Sequence, residues 1–152
     1  MKNCMQKQNG SSLIEVLVTI LIVSFGLLGV AGIVANALKD SHRSYGRSQA
    51  SWLALDIIER MRANRGAAQT VGTSPYELAM NAATPTGTTV AINDLIAWRS
   101  ALASVLPSGT GSVEMTPNAA TNTFTVTVRV RWDDSRAQGG SSRQIFTTET
   151  QL

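Results

Sequence analysis

Residues 10–35 read GSSLIEVLVTILIVSFGLLGVAGIVA, and this stretch decides how the chain is built. From Leu13 to Ala35 the only ionisable side chain is Glu15. The apolar run is long enough to cross a membrane, because about 20 apolar residues in a helix span the hydrocarbon layer. We therefore predict a membrane-spanning helix at the N-terminus.

The segment before this run is polar and basic. Residues 1–10, MKNCMQKQNG, contain two lysines and no acid, which favours an N-terminus in the cytoplasm and export of the rest. A secretory signal peptide would place its small-residue cleavage site after the apolar core. Here Gly10, Ser11 and Ser12 come before it. Cleavage after Gly10 would remove the basic leader at the cytoplasmic membrane face and leave the apolar helix on the mature protein.

Glu15 is the unusual residue of the apolar run. A carboxylate in a membrane helix costs a few kcal/mol unless it is paired or reaches the interface. Near the start of the helix it also meets the positive end of the helix dipole. Cleavage after Gly10 would create an α-amine at Ser11, one helical turn away, and we interpret Glu15 as its counter-charge. The alternative is an interfacial carboxylate that reaches water without any partner.

These residues carry a family resemblance. Residues 10–18, GSSLIEVLV, resemble the class III signal of type IV pilins and pseudopilins. The resemblance implies that a prepilin peptidase cuts between Gly10 and Ser11 and methylates the new N-terminus. It also implies that Glu15, at the fifth mature position, neutralises the N-terminal amine of a subunit already in the fibre. The family usually has Phe after the cut, where this chain has Ser11.

Helical periodicity continues beyond the apolar run to about Asn64, and Gly66 is the predicted stop. One apolar stripe at spacings of three and four comprises Ala50, Leu53, Ala54, Ile57 and Met61. Residues 67–91, rich in Ala, Thr, Gly and Pro, are predicted to form a connection. A second helix follows, with Asn93 as its predicted cap. Its predicted buried stripe comprises Leu95, Trp98, Leu102 and Val105.

The last third of the chain predicts a small antiparallel sheet. Apolar residues alternate with Thr and Arg over residues 124–132, the clearest period-two signal in the chain. Residues 112–116 and 145–152 are the predicted neighbouring strands, and residues 133–142 form a polar connection. The apolar face of the sheet would pack on the second half of the long helix. All three tryptophans, Trp52, Trp98 and Trp132, are predicted core residues.

Together these signals predict an α+β fold of the type IV pilin kind, with a long N-terminal helix packed on a small antiparallel sheet. Residues 1–10 would be the cleaved leader and residues 11–37 the transmembrane or fibre-core half of the helix. Residues 38–65 would form its amphipathic half, and residues 66–152 a globular α+β head.

Four later segments narrow the resemblance to PilV-type minor pilins: DIIERMRAN at 56–64, DLIAWR at 94–99, LPSG at 106–109 and VRWDD at 130–134. The narrower resemblance implies a subunit that primes a type IV pilus and joins it at or near the tip. Its implied partners are other minor pilins, the major pilin, the prepilin peptidase and a large tip adhesin. The implied location is the inner membrane of a Gram-negative bacterium, with a periplasmic head, and then the extracellular pilus.

Composition restricts the remaining function classes. With 43% apolar and 15% charged residues, the chain is not a long disordered protein. Of its 13 basic side chains two lie in residues 1–10, which leaves 11 against 10 acidic ones and no dense basic cluster for nucleic acid. The only cysteine, Cys4, also lies in the leader, whereas many PilV-type proteins have a cysteine pair in the globular part.

His42 is the only histidine and lies just outside the predicted span on the expected helix, and the sequence contains no Cys/His pair with metal-ligand spacing. We predict no enzymatic activity, metal or cofactor.

Two other function classes stay open. The first is a pseudopilin of a type II secretion system, which has the same signal and helix. The second is a single-span membrane protein with an exported sensory or binding domain, which predicts neither cleavage after Gly10 nor dependence on Glu15. The glycines of the apolar run, Gly26, Gly29 and Gly32, have two interpretations as well. They allow either close helix packing or local bending of the helix.

Overall fold

The computed structural model describes residues 12–70, 74–118, 123–137 and 139–152. These residues form three helices followed by three strands. The helices are α1 (Leu13–Ala63), α2 (Arg65–Ala68) and α3 (Val90–Val105), and the strands are β1 (Thr110–Asn118), β2 (Thr123–Trp132) and β3 (Gln144–Gln151). Gly10 and Ser11 lie outside the described residues.

The chain divides at Leu38 into two compact units. In the first unit, every residue of α1 from Leu13 to Leu38 is exposed. This stretch is apolar on all sides, so it has no polar face to turn towards water. A helix suits such a segment because it satisfies each backbone N–H and C=O group within the segment itself.

In the second unit, α1 buries residues on only one of its sides. Its buried residues are Ala50, Ala54, Ile57, Ile58 and Met61. They recur at helical spacing, and the predicted stripe is confirmed, with Leu53 partly buried beside it. The solvent-exposed side carries an ion pair between Arg62 and Glu59, in which Nη1 of Arg62 lies 2.5 Å from Oε1 of Glu59. A hydrophobic stripe opposite charged residues holds this half of the helix on a core.

The sheet is antiparallel in the order β1-β2-β3, with β2 in the centre. Val126, Val128 and Val130 are fully buried and Trp132 exposes 2% of its surface, so alternate residues of β2 face the core. On the opposite face, the Arg129 guanidinium donates to Glu114 of β1 at 2.6 Å. The alternation read from residues 124–132 is therefore confirmed.

Helix α3 is tied to both α1 and the sheet through Trp98. The indole is fully buried, and its Nε1–H donates to the carbonyl oxygen of Leu53 at 2.8 Å. Gly111 of β1 lets the ring approach, because a Cβ there would collide with Cη2 of Trp98. Leu95 and Leu102 flank the indole in the same buried cluster.

Several local predictions about helix ends are wrong. Helix α3 is capped by Thr89 and not by Asn93, since the Thr89 hydroxyl accepts from the Ile92 N–H at 3.3 Å. Helix α1 ends at Ala63, and Gly66 lies inside the short helix α2. Both errors concern single residues at helix ends, where which polar side chain reaches the free N–H groups depends on the backbone path and not on periodicity.

Two predicted core residues are in fact exposed. Trp52 exposes 73% of its surface and Val105 41%. Trp52 follows Ala50 by two positions, which places it about 200° around the helix from the buried stripe. The architecture as a whole is as predicted: an α+β fold with a long N-terminal helix and a small three-stranded antiparallel sheet, as in type IV pilins.

Candidate assembly segment and the polar sites of the head

Glu15 lies in the first turn of α1. Its N–H donates to the carbonyl oxygen of Ser12 at 2.8 Å, which starts the helix. Its side chain is exposed and has no ion-pair partner among the described residues. A carboxylate at this point is favoured by the unbonded N–H groups of the helix start, and it is open to a counter-charge from outside the described chain.

The hydroxyl groups of the apolar segment are satisfied within the helix. Thr19 Oγ1 donates to the carbonyl oxygen of Glu15 at 2.6 Å, and Ser24 Oγ donates to that of Ile20 at 2.7 Å. These bonds remove the two side-chain donors that would otherwise be unpaired in an apolar environment. By length and composition, the described part of the chain has one helix suited to crossing a membrane, and it is α1.

The glycines of the segment have no steric role inside the chain. A Cβ at Gly26, Gly29 or Gly32 would meet nothing within 4 Å. No intramolecular neighbour therefore requires these positions to be small. Both interpretations made from the sequence, close packing against another helix and local bending, remain predictions.

A polar network holds α1 to α3 and to the loop between them. Arg60 lies between two carboxylates, with Nε 3.0 Å from Asp56 and Nη1 3.3 Å from Asp94. The Tyr76 hydroxyl donates to Asp94 at 2.7 Å and accepts from the Asn64 amide at 3.1 Å. The hydrogen bond with Asp56 raises the pKa of Arg60, and burial followed by the bond to Asp94 raises the pKa of Tyr76 to about 12.

A second cluster surrounds Arg99 on α3. Its guanidinium donates to the Thr110 hydroxyl at 3.0 Å and to the carbonyl oxygen of Ala79 at 2.9 Å. Burial lowers the pKa of Arg99. The cluster holds the loop near Met80 against the start of β1, where Leu78 also pairs with Val113. Its contacts are structural, since they satisfy backbone carbonyl groups.

Neither network was predicted from the sequence. Tyr76 and Asp94 lie 18 residues apart, and Arg60 and Asp94 lie 34 apart, so no local spacing connects them. Among the described residues, no group of three or more His, Cys, Asp or Glu side chains could hold a metal ion. His42 lies on α1, at the start of the second unit.

A family model described as the prokaryotic N-terminal methylation motif matches residues 5–31. The chain therefore carries a prepilin-type N-terminus. The matched residues include Gly10, Ser11, Glu15 and more than half of the apolar segment, and they indicate a type IV pilin-like protein of the prepilin type. A prepilin-type N-terminus implies contact with a prepilin peptidase and with other pilins, and anchoring in a bacterial membrane.

The match does not extend into the second unit, which begins at Lys39. Searches of curated proteins and of solved structures found no match to the chain.

Proposed function

We propose that the chain is a minor pilin of the PilV type, which helps to prime a type IV pilus and is incorporated at or near its tip. The observation that carries the proposal is the apolar stretch of α1. It is exposed on every side and begins within a matched prepilin-type motif that contains a single carboxylate. A segment that buries none of its apolar surface within its own chain requires a membrane or the helices of other subunits around it.

The proposed maturation begins with cleavage between Gly10 and Ser11. Removal of residues 1–10 exposes an α-amine at Ser11, four residues before Glu15, and we infer that this amine is methylated. Glu15 then supplies the negative charge that a buried amine requires, either in its own subunit or in a neighbouring one. An unpaired charge in a dry helical core costs several kcal/mol, so this pairing favours addition to the fibre.

The head determines the proposed place in the pilus. Its four PilV-like segments lie at the end of α1, in α3, after α3 and at the end of β2. The inferred partners are other minor pilins, the major pilin and a large tip adhesin. Before assembly the head would lie in the periplasm of a Gram-negative cell, with α1 anchored in the inner membrane. Residues 11–37 would form the membrane or fibre-core half of the helix, residues 38–65 its amphipathic half and residues 66–152 the globular α+β head.

Intact-mass measurement of the membrane-extracted protein tests the maturation. In cells that contain prepilin peptidase, the mass should correspond to a chain that begins at Ser11 and carries one methyl group. Gly10→Ala should slow the cut, while Gly26→Ala, a matched change within the helix, should leave it unaffected. A mature chain that still begins at Met1 would exclude the pilin proposal in favour of a single-span membrane protein.

Deletion of the gene tests pilus against secretion. A minor pilin predicts loss of surface pili while exported enzymes still reach the medium. Loss of secretion with normal pili would instead indicate a pseudopilin of a type II secretion system.

A further inference from the structure

The two edges of the sheet differ in how much of them the chain covers. At the β1 edge, Leu78 and Val113 exchange two backbone hydrogen bonds of 2.9 Å, so a neighbouring segment already pairs with part of that strand. β1 also contains Pro117, and proline is one of the residues that protect an edge strand from further pairing. The other edge is β3, beside which no described residue forms a further strand or bridge.

One hydrogen bond fixes which backbone groups of β3 are open. The Leu152 N–H donates to the carbonyl oxygen of Phe124 at 3.0 Å, and these two residues lie opposite each other one step beyond the register of β2 and β3. In an antiparallel pair, residues that bond to the neighbouring strand alternate with residues whose N–H and C=O groups point away from it. The residues of β3 that bond to β2 are therefore those with even numbers. The residues that point away are Ile145, Thr147, Glu149 and Gln151.

These outward-facing backbone groups lie on the surface of the head. All four residues are exposed, and their N–H and C=O groups have no hydrogen-bond partner in another segment of the described chain. Four donors and four acceptors thus alternate along about 20 Å of strand. Water can bond to each of them singly, whereas a second strand can bond to all of them at once.

β3 lacks the features by which proteins protect an exposed edge. It contains no proline and no lysine, and it pairs with β2 residue for residue from Gln144 to Gln151, so no bulge bends it away. Five of its eight residues are Ile, Phe or Thr, which are types that favour strands. An edge of this kind accepts an added strand in the mode of recognition called β-augmentation.

The side chains of β3 indicate what an added strand should carry. Glu149 is exposed and forms no ion pair with a described residue, since its printed contact is the Thr127 hydroxyl at 3.5 Å. Ile145, on the same face of β3, exposes 48% of its surface. Phe146 lies on the opposite face and is only partly buried against the core. A strand with a cation opposite Glu149 and apolar residues opposite Ile145 and Phe146 would complement all three.

We propose that the exposed edge of β3 is a docking site for an extended segment of a partner protein, which adds antiparallel to the sheet as a fourth strand. The backbone of the partner would exchange hydrogen bonds with the four outward-facing residues, and a lysine or arginine of the partner would lie opposite Glu149. The inference concerns the second unit alone, and it requires neither cleavage after Gly10 nor a pilus. Such a strand would give the head an attachment that is independent of the apolar part of α1.

A synthetic peptide tests the edge. The probe is a capped seven-residue strand of threonine and valine, with lysine at its third position to lie opposite Glu149 and isoleucine at its seventh to lie opposite Ile145. Fluorescence anisotropy of the labelled peptide should show saturable binding to the full chain in detergent. Methylation of the peptide nitrogens at positions three and five should weaken binding at least about tenfold, because two hydrogen bonds to β3 are lost. Methylation at positions two and four, where the N–H groups would point away from β3, is the matched control and should leave the affinity within about twofold.

Variants of two edge residues test the same site from the side of the chain. Thr147→Pro removes an outward-facing N–H and leaves the bonds to β2 in place, so it should weaken the peptide at least about tenfold. Thr147→Val keeps that N–H and should bind as the wild type does. Glu149→Lys should weaken the lysine peptide and bind more tightly a peptide with glutamate at position three.

Equal affinity of the two methylated peptides for the wild-type chain overturns the proposal, and this comparison does not depend on how any variant folds. Absence of saturable binding overturns it as well. Self-association of the wild-type chain that Thr147→Pro abolishes would assign the edge to a second copy of this chain instead. An uncut chain that binds the peptide would remove the pilin proposal and leave this site standing, whereas a cut chain that does not bind it would do the opposite.

Discussion

The two units of the chain use the same apolar residue types in opposite ways. In the first unit Ile14 exposes 68% of its surface, whereas in the second Ile57 and Ile58 expose 0% and 2%. All three belong to one helix, α1. Helix formation is therefore common to both regions, and the difference lies in what surrounds the helix.

This difference arises because the two regions of α1 differ in the apolar surfaces of the same chain that pack against them. In the second unit, α3 and one face of the sheet pack against one side of α1. The apolar stripe of α1 lies on that side. The described residues of the first unit, 12–38, supply no such surface, and their helix is apolar on every side. Burial of the head's residues thus stabilises the monomer, while burial of the first unit's residues becomes available only in a membrane or an assembly.

Removal of the first unit should have the largest effect. A chain that begins at Leu38 should change from membrane-bound to soluble and monomeric, because the exposed apolar helix is lost and the core of the head stays complete. Gel filtration and circular dichroism would check this, with a mixed helix and strand spectrum expected. An insoluble or molten product would mean that the head depends on the first unit or on another subunit.

Glu15→Leu tests the role of the single carboxylate in the apolar part of α1. Insertion should be unchanged or better, since the helix becomes more apolar. The share of processed protein in sheared fibres should fall at least about tenfold, because the N-terminal amine loses a partner worth several kcal/mol. The same change at Glu77, an exposed glutamate of the second unit, is the control and should have little effect. Equal incorporation of wild type and Glu15→Leu would identify Glu15 as an interfacial carboxylate without a partner.

Trp98→Leu and Trp52→Leu compare a buried tryptophan with an exposed one in the second unit. Trp98 is fully buried and hydrogen-bonded to Leu53, so its substitution should lower the free energy of unfolding by about 3 kcal/mol. Trp52 exposes 73% of its surface, and its substitution should change that free energy by no more than about 0.5 kcal/mol. Urea unfolding of the soluble head measures both. Similar losses would show that Trp52 has a buried environment.

Tyr76→Phe should have a smaller effect than Trp98→Leu, about 1 kcal/mol at neutral pH, through loss of the bonds to Asp94 and Asn64. The pKa of Tyr76 is raised to about 12 from 10, so the unfolded chain releases this proton first. The stability that Tyr76 contributes through this shift should therefore be constant below pH 10 and be lost between about pH 10 and 12. In Tyr76→Phe this decline should be smaller. Tyr45→Phe, at an exposed tyrosine, should keep the wild-type profile.

Periodicity was a reliable guide for α1 and β2, whereas in α3 it predicted a buried Val105, which is exposed at the end of the helix. The stripe of α1 and the alternation of β2 were both read correctly, because each residue's environment follows from its angle around the helix or its side of the strand. Trp52 was misplaced when residue type was used in place of angle. Thr89 and Asn93 both suit an N-cap, and only the backbone path between them decides which one caps α3.

The sequence by itself determined three features: the change along α1 from an all-round apolar helix to an amphipathic one, the strand pattern, and the prepilin-type start. Each of them depends on residues that are close together in the chain. Only the tertiary structure decided the Arg60, Asp94 and Tyr76 network and the ion pair between Arg43 and Asp134. Their members come from segments far apart in sequence, and their distances depend on how α1, α3 and the sheet pack. Asp133 and Asp134 are adjacent in the sequence, yet their surroundings differ. Asp133 accepts a hydrogen bond from the Ser135 N–H, whereas Asp134 is nearly buried, with its Oδ2 atom 3.9 Å from Nε of Arg43.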